Sequence, residues 1–140
     1  MDVLEFLNGR QSLFLKSINY QINETFEQKE TIEVQVFDDL NSKFVEEKKI
    51  IEIVVKRKVQ FVPIEPYVLE VVMGSNLFLK EDKLEEFKQA NFNLNEELIK
   101  QSKILSVLTS RISLLISQIT ASYGGKPMIT PPIYVPENEK

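Results

Sequence analysis

The chain has 140 residues, 43% hydrophobic and 27% charged, with a formal net charge of −4, the composition of one ordinary globular domain around one core. It contains neither His nor Cys, which excludes imidazole acid–base chemistry, thiol nucleophiles, disulfides and nearly all zinc and iron sites. No P-loop, Gly-rich dinucleotide fingerprint or G-x-S-x-G elbow occurs, and the acidic balance disfavours phosphate-backbone binding. Met1-Asp2-Val3-Leu4-Glu5 carries acids where a secretory leader carries Lys or Arg, and no apolar run approaches the ~20 residues of a membrane helix. The expectation is a cytoplasmic protein that neither inserts in a membrane nor binds nucleic acid.

Taken in chain order, Val3, Leu4, Phe6 and Leu7 precede Gly9. This stretch fits a short helix or a strand, so residues 1–11 stand either as an N-terminal arm or as part of the core. Leu13, Leu15, Ile18, Tyr20 and Ile22 alternate imperfectly, which predicts a strand with a bulge over residues 12–26. Residues 31–37 alternate cleanly, with Ile32, Val34 and Val36 on one face. Asp38-Asp39-Leu40-Asn41-Ser42 then predicts a turn. Residues 50–62 carry the strongest strand pattern. Ile51, Ile53, Val55, Val59 and Phe61 share one face, Glu52, Lys56, Lys58 and Gln60 share the other, and Arg57 is the one break on the apolar side. Lys48-Lys49 and Lys56-Arg57-Lys58 read as a solvated turn and a solvated strand face. Pro63 and Pro66 bracket a turn, and residues 67–79 predict a fourth strand, broken at Gly74-Ser75-Asn76. Four strands with short connections predict an antiparallel meander.

Residues 80–90, with Leu84 and Phe87 three apart, read as a short surface helix. Asn93-Leu94-Asn95-Glu96 offers an N-cap with Glu three residues on. From there to Ser122 the helical period is clear. Leu94, Leu98, Leu105, Leu108, Ile112, Leu115 and Ile119 form an apolar stripe on one helix of about 40 Å. A second stripe, Ser102, Ser106, Ser110, Ser113, Ser117 and Thr120, recurs at steps of three and four. Arg111 is the only charge between Ile104 and Ser122. A helix this uncharged is buried on more than one side, and the small-residue stripe predicts a subunit interface. Gly124-Gly125 stops the helix. Pro127, Pro131-Pro132 and Pro136 then force an extended strap carrying Met128, Ile129, Ile133, Tyr134 and Val135, with residues 137–140 as a tail.

This order of elements resembles the family of the protein-export chaperone SecB. Val68-Leu69-Glu70-Val71-Val72-Met73-Gly74 followed by Leu77-Phe78 is similar to the family's fourth strand. Leu105 through Arg111 resembles the helix segment leading to its Arg, and Gly124-Gly125-Lys126-Pro127 and Pro131-Pro132-Ile133 resemble its close. The resemblance spans roughly residues 13–135. It implies a single α+β domain, a four-stranded antiparallel meander packed against a long C-terminal helix and followed by a Pro-rich strap. It further implies a homotetramer, a dimer of dimers with the long helices between two sheets. The implied activity is that of an ATP-independent holdase for unfolded polypeptides, with no cofactor. Departures are also visible: Leu108-Thr109 stands where the family carries Pro-Tyr, and only Glu137-Asn138-Glu139-Lys140 follows the strap, where the export chaperone has a second helix. Glu70 matches one acid that docks the translocase ATPase, whereas Ser17 and Gln21 occupy the first-strand positions, so docking to that partner is doubtful.

The candidate client-binding residues are Phe61, Tyr67, Phe78, Met128, Ile129, Ile133 and Tyr134, since aromatics and Met give adaptable apolar contact. Glu70 is the candidate docking residue. The alternative is a dedicated adaptor on the same fold, holding one partner, as a toxin–antitoxin-associated chaperone does. An enzyme is disfavoured: Glu46-Glu47 and Glu85-Glu86 sit in charged surface segments.

Overall fold

A computed structural model describes residues 2–25, 31–122 and 126–137, except for the side chain of Ser102. Strands β1 (Leu7–Ile22), β2 (Glu33–Val45), β3 (Ile50–Val62) and β4 (Tyr67–Leu79) form one antiparallel sheet. Helices α1 (Leu84–Ala90), α2 (Leu94–Lys100) and α3 (Ser102–Ala121) follow, and then the strap, residues 126–137. The α+β class holds, as does a strand over 50–62 and another over 67–79.

The strand order is β1-β4-β3-β2. Only β2, β3 and β4 form a meander; β1 pairs with β4 on the far side. The physical reason is connection length. Residues 23–32 separate β1 from β2, too many for the 2–5 of a tight hairpin, so β1 is free to leave its sequence neighbour. Its pairing register slips between Leu15 and Ser17, which is the predicted bulge.

Two predicted breaks are not breaks. Asp38 to Ser42 lie inside β2, with Asp38 opposite Arg57 and Leu40 opposite Val55. Strand β4 runs straight through Gly74, where a Cβ would stand 2.1 Å from Phe14 Cζ. The glycine is there because the Phe14 ring crosses the strand at that point.

Alternation places Ile51, Ile53, Val55, Val59 and Phe61 of β3 and Leu69, Val71 and Leu77 of β4 in the core. Helix α3 covers them with Leu105, Leu108, Ile112 and Ile116, all buried. Each such side chain contributes on the order of 1.5–3 kcal/mol. By length and composition Lys103–Ala121 suffices to cross a membrane; interleaved Ser and Thr hide this in the sequence, and here the helix packs on the sheet.

The helical region is bent rather than continuous. Gln101 leaves helical geometry (φ −98°, ψ 76°), and its side-chain amide donates to Asp2 Oδ1 at 2.8 Å. The bend lets α2 lie against β2 while α3 crosses β3 and β4. Asn93 caps α2 by accepting from the Glu96 N–H, as predicted. The stop at Gly124-Gly125 lies outside the described residues.

The N-terminal segment belongs to the core. Val3 and Phe6, on a 3-10 turn, are buried, and Phe6 stacks edge-on with Phe87 (5.7 Å) and Phe92 (5.5 Å). Phe87 thereby docks α1, which is not merely a surface helix. On β1, in contrast, Leu13, Leu15, Ile18 and Ile22 face the helix side of the sheet yet are exposed, because α3 does not reach that edge.

Candidate functional site

A strap with prolines at 127, 131, 132 and 136 offers carbonyls and few N–H groups. Its neighbours must therefore be donors. Thr109 Oγ1 donates to Pro132 O at 2.6 Å, and Ser113 Oγ donates to Thr130 O at 2.7 Å. Thr120 Oγ1 accepts from the Met128 N–H at 2.7 Å. The chain's own strap is thus a second cover for α3, along the flank that carries these hydroxyls.

The remaining donor is Arg57. Its Nε donates to Asp38 Oδ1 (2.8 Å) and its Nη2 to Asp38 Oδ2 (2.7 Å), with both side chains fully buried. Nη1 donates to Thr130 Oγ1 (2.9 Å) and to Pro131 O, and Nη2 donates to Ile133 O (2.8 Å). All five guanidinium N–H groups are used. Asp38 closes the arrangement: its Oδ2 accepts from the Val135 N–H at 2.8 Å and its own N–H donates to Val135 O at 2.7 Å. The break on the apolar face of β3 and the misread turn residue on β2 are one cross-strand ion pair.

This leaves the strap inside out. Its polar backbone points at buried donors, while Ile129 is 79% and Ile133 61% exposed. Beside it lies a cleft of about 480 Å³. Ile99 of α2, which is half exposed, and Lys103, Leu105 and Ser106 of α3 form one side. Ile133, Tyr134 and Pro136 form the other. Burial raises the Tyr134 phenol pKa, and the nearby Asp38 and Asp39 carboxylates raise it further. The cleft is apolar with one cation, Lys103, at its lining, and it can take an extended apolar segment.

Of the client-binding candidates named from the sequence, Ile133 and Tyr134 line this cleft. Ile99, Lys103 and Leu105, and Arg57 and Asp38 behind the strap, were not among those candidates. An acceptor-rich strap calling for buried donors was the available signal. The other candidates are elsewhere. Phe61, which is buried, stacks on Tyr67 (4.8 Å), and Tyr67 stacks on Tyr20 (5.3 Å). Tyr67 O–H reaches Met128 Sδ at 3.8 Å, and its phenol is pushed up to about 12 by burial and then by Tyr20. Phe78 sits on the opposite sheet face with the Arg10 guanidinium 5.6 Å above its ring. Ile129 stands alone on the strap. Of the two acidic pairs, Glu46 and Glu85 both engage Lys88, and the Glu46 hydrogen bond raises the pKa of that ammonium.

No protein-family model matches the chain, and no curated protein matches it in sequence. Among solved structures, it matches the SecB-like chaperone Rv1957 of Mycobacterium tuberculosis, which is in complex with a ChAD peptide from the Rv1956 HigA1 antitoxin. The TM-score is 0.58 at 8% identity, over 92% of this chain and 88% of that one. The fold is SecB-like.

Within the SecB-like sheet, Glu70 lies on the face away from the helices, paired with Lys56 at 3.4 Å. Such a surface pair contributes ~0–1 kcal/mol and leaves the acid part-neutralised. On the SecB-like helix, Ser106, Ser110 and Ser117 donate to carbonyls one turn back, Lys103 O, Ser106 O and Leu114 O. Ser113 and Thr120 serve the strap instead. The most exposed apolar residues on α3 are Val107 and Leu114, between which Ser110 lies.

Proposed function

We propose that the protein is an ATP-independent, SecB-like molecular chaperone that holds non-native polypeptide in the cleft beside the strap, without enzymatic activity. The observation that carries this reading is the inside-out strap. Folding normally buries Ile and pairs backbone carbonyls within regular structure; here the strap carbonyls are held by the side chains of Arg57, Thr109 and Ser113, and Ile129 and Ile133 are presented to solvent. An extended client would gain ~25 cal/mol per Å² of apolar surface covered.

The working form in this proposal is a cytoplasmic homo-oligomer, a tetramer built as a dimer of dimers, in which several weak sites add to useful avidity. Support comes from two uncovered surfaces, the Leu15, Ile18 and Ile22 row on edge strand β1 and the Val107 and Leu114 flank of α3. An open edge strand can pair antiparallel with its own copy about a two-fold axis. Partners are polypeptide clients, with no nucleic acid. The translocase ATPase is not among the proposed partners, since Glu70 already pairs with Lys56 and Ser17 and Gln21 carry no charge.

A second reading is favoured by one finding: the matching SecB-like chaperone is bound to an antitoxin peptide. On that reading this chain is a dedicated adaptor with one dominant partner. Both readings are tested by light-scattering mass with a reduced, unfolded model polypeptide. A holdase takes up several unrelated polypeptides and slows their aggregation; an adaptor ignores them. Replacing Ile133 and Tyr134 with Ser is expected to weaken uptake with the unfolding midpoint little changed. Undiminished uptake by that variant would remove the cleft from the mechanism.

A further inference from the structure

The strap has almost no sheet ladder to hold it. Its β-contact among the described residues is a single parallel bridge, Asp38 with Pro136, with one main-chain bond from Asp38 N–H to Val135 O. Besides the Thr109 bond to Pro132 O, its position is set by side-chain hydrogen bonds in two groups. Thr120 and Ser113 hold Met128 and Thr130. Arg57 holds Thr130 Oγ1, Pro131 O and Ile133 O, while Asp38 takes the Val135 N–H. The second group therefore brackets Ile133 and Tyr134, the two strap residues that wall the cleft.

We propose that Arg57 and Asp38 are the positioning pair of this cleft. They fix the backbone on both sides of Ile133, so that its side chain and that of Tyr134 form a standing wall before any ligand arrives. This rests on the reading of the cleft as the client site. An apolar side chain at 57 would leave Pro131 O and Ile133 O, which are part-buried, without the donor that holds them. A buried ion pair is poor at adding net stability and can instead specify geometry. A ligand wall held in place beforehand loses less conformational freedom on binding. Arg serves this role because its planar fork reaches a carboxylate and the strap oxygens at once, which the single ammonium of Lys does not.

The test is the full chain with Asp38→Leu and Arg57→Met together, an apolar replacement of the kind that cores tolerate. Three quantities are read: cooperative thermal unfolding, amide exchange along the strap, and the Kd for a fluorescently labelled, reduced and alkylated unfolded polypeptide. Expected are a retained cooperative transition, the Val135 amide, which Asp38 holds, exchanging at least roughly tenfold faster, and an unchanged Met128 amide, which Thr120 still holds. Affinity is expected to fall roughly tenfold, with no further fall when the pair is replaced in an Ile133→Ser background, because the pair acts through that residue. Retained protection of the Val135 amide overturns the anchor. A released amide with unchanged affinity overturns the positioning role. If the double variant does not fold, Arg57→Lys gives the same selective exchange on this proposal, and unselective or absent acceleration overturns it. A wild-type chain that takes up no polypeptide overturns the client reading separately, and the exchange comparison still decides the anchor.

Discussion

At Gly74 the Phe14 ring fills the space that a side chain would need, and the strand has no slack because it pairs on both sides. Gly74→Ala is expected to destabilise the fold by about 1–3 kcal/mol, the range for overpacking, read as a lower denaturant midpoint. Adding Phe14→Leu is expected to recover part of the loss. Tyr67 gives a pH-dependent prediction. Its phenol titrates near 12 in the folded chain, against an ordinary value of about 10. The unfolded chain therefore loses this proton first. The contribution is fully present below about pH 10 and is lost as pH rises towards 12. Stability should fall across that window in the wild type and fall less in Tyr67→Phe, measured by urea unfolding at fixed pH steps. Single residues were where sequence reading failed. Asp38 and Gly74 belong to turn-forming types, and the sequence does not distinguish a residue that ends a strand from one serving a partner far along the chain.

Elements were more legible, because a period repeats over many residues. The alternation over 50–62 and 67–79 marks β3 and β4, and the Asn93 cap marks the start of α2. The bend at Gln101 carries no Gly or Pro to announce it; it arises because α2 and α3 pack on different strands. The hydroxyl flank of α3 was visible as a stripe, while its use was not. Thr109 is buried and donates to Pro132 O. Thr109→Val keeps the shape and removes that part-buried carbonyl's donor, at a cost of about 0.5–1.5 kcal/mol. A denaturant titration checks this, and faster exchange of strap amides should accompany it.

For the whole molecule, the uncovered row on β1 and the Val107 and Leu114 flank of α3 bear on assembly. Ser110 is exposed on that flank. Ser110→Lys is expected to shift the light-scattering mass from the proposed tetramer to a smaller species with the circular dichroism spectrum unchanged. An unchanged mass would place the subunit contact elsewhere, with β1 the next surface to alter. The Ser-rich stripe argued for such an interface from its lack of charge. The strap accounts for part of that lack, since Ser113 and Thr120 have partners within the chain.

The sequence by itself determined the α+β class, the periods of β3, β4 and α3, the extended strap, and the absence of imidazole and thiol chemistry, because these depend on local pattern and residue type. Tertiary structure decided the strand order, the bend between α2 and α3, and the burial of the N-terminal turn. It also paired Arg57 with Asp38, nineteen positions apart, and set both beneath the strap. Such contacts are chosen by which groups are left needing a partner once the chain has closed, and that choice has no counterpart in the order of residues along it.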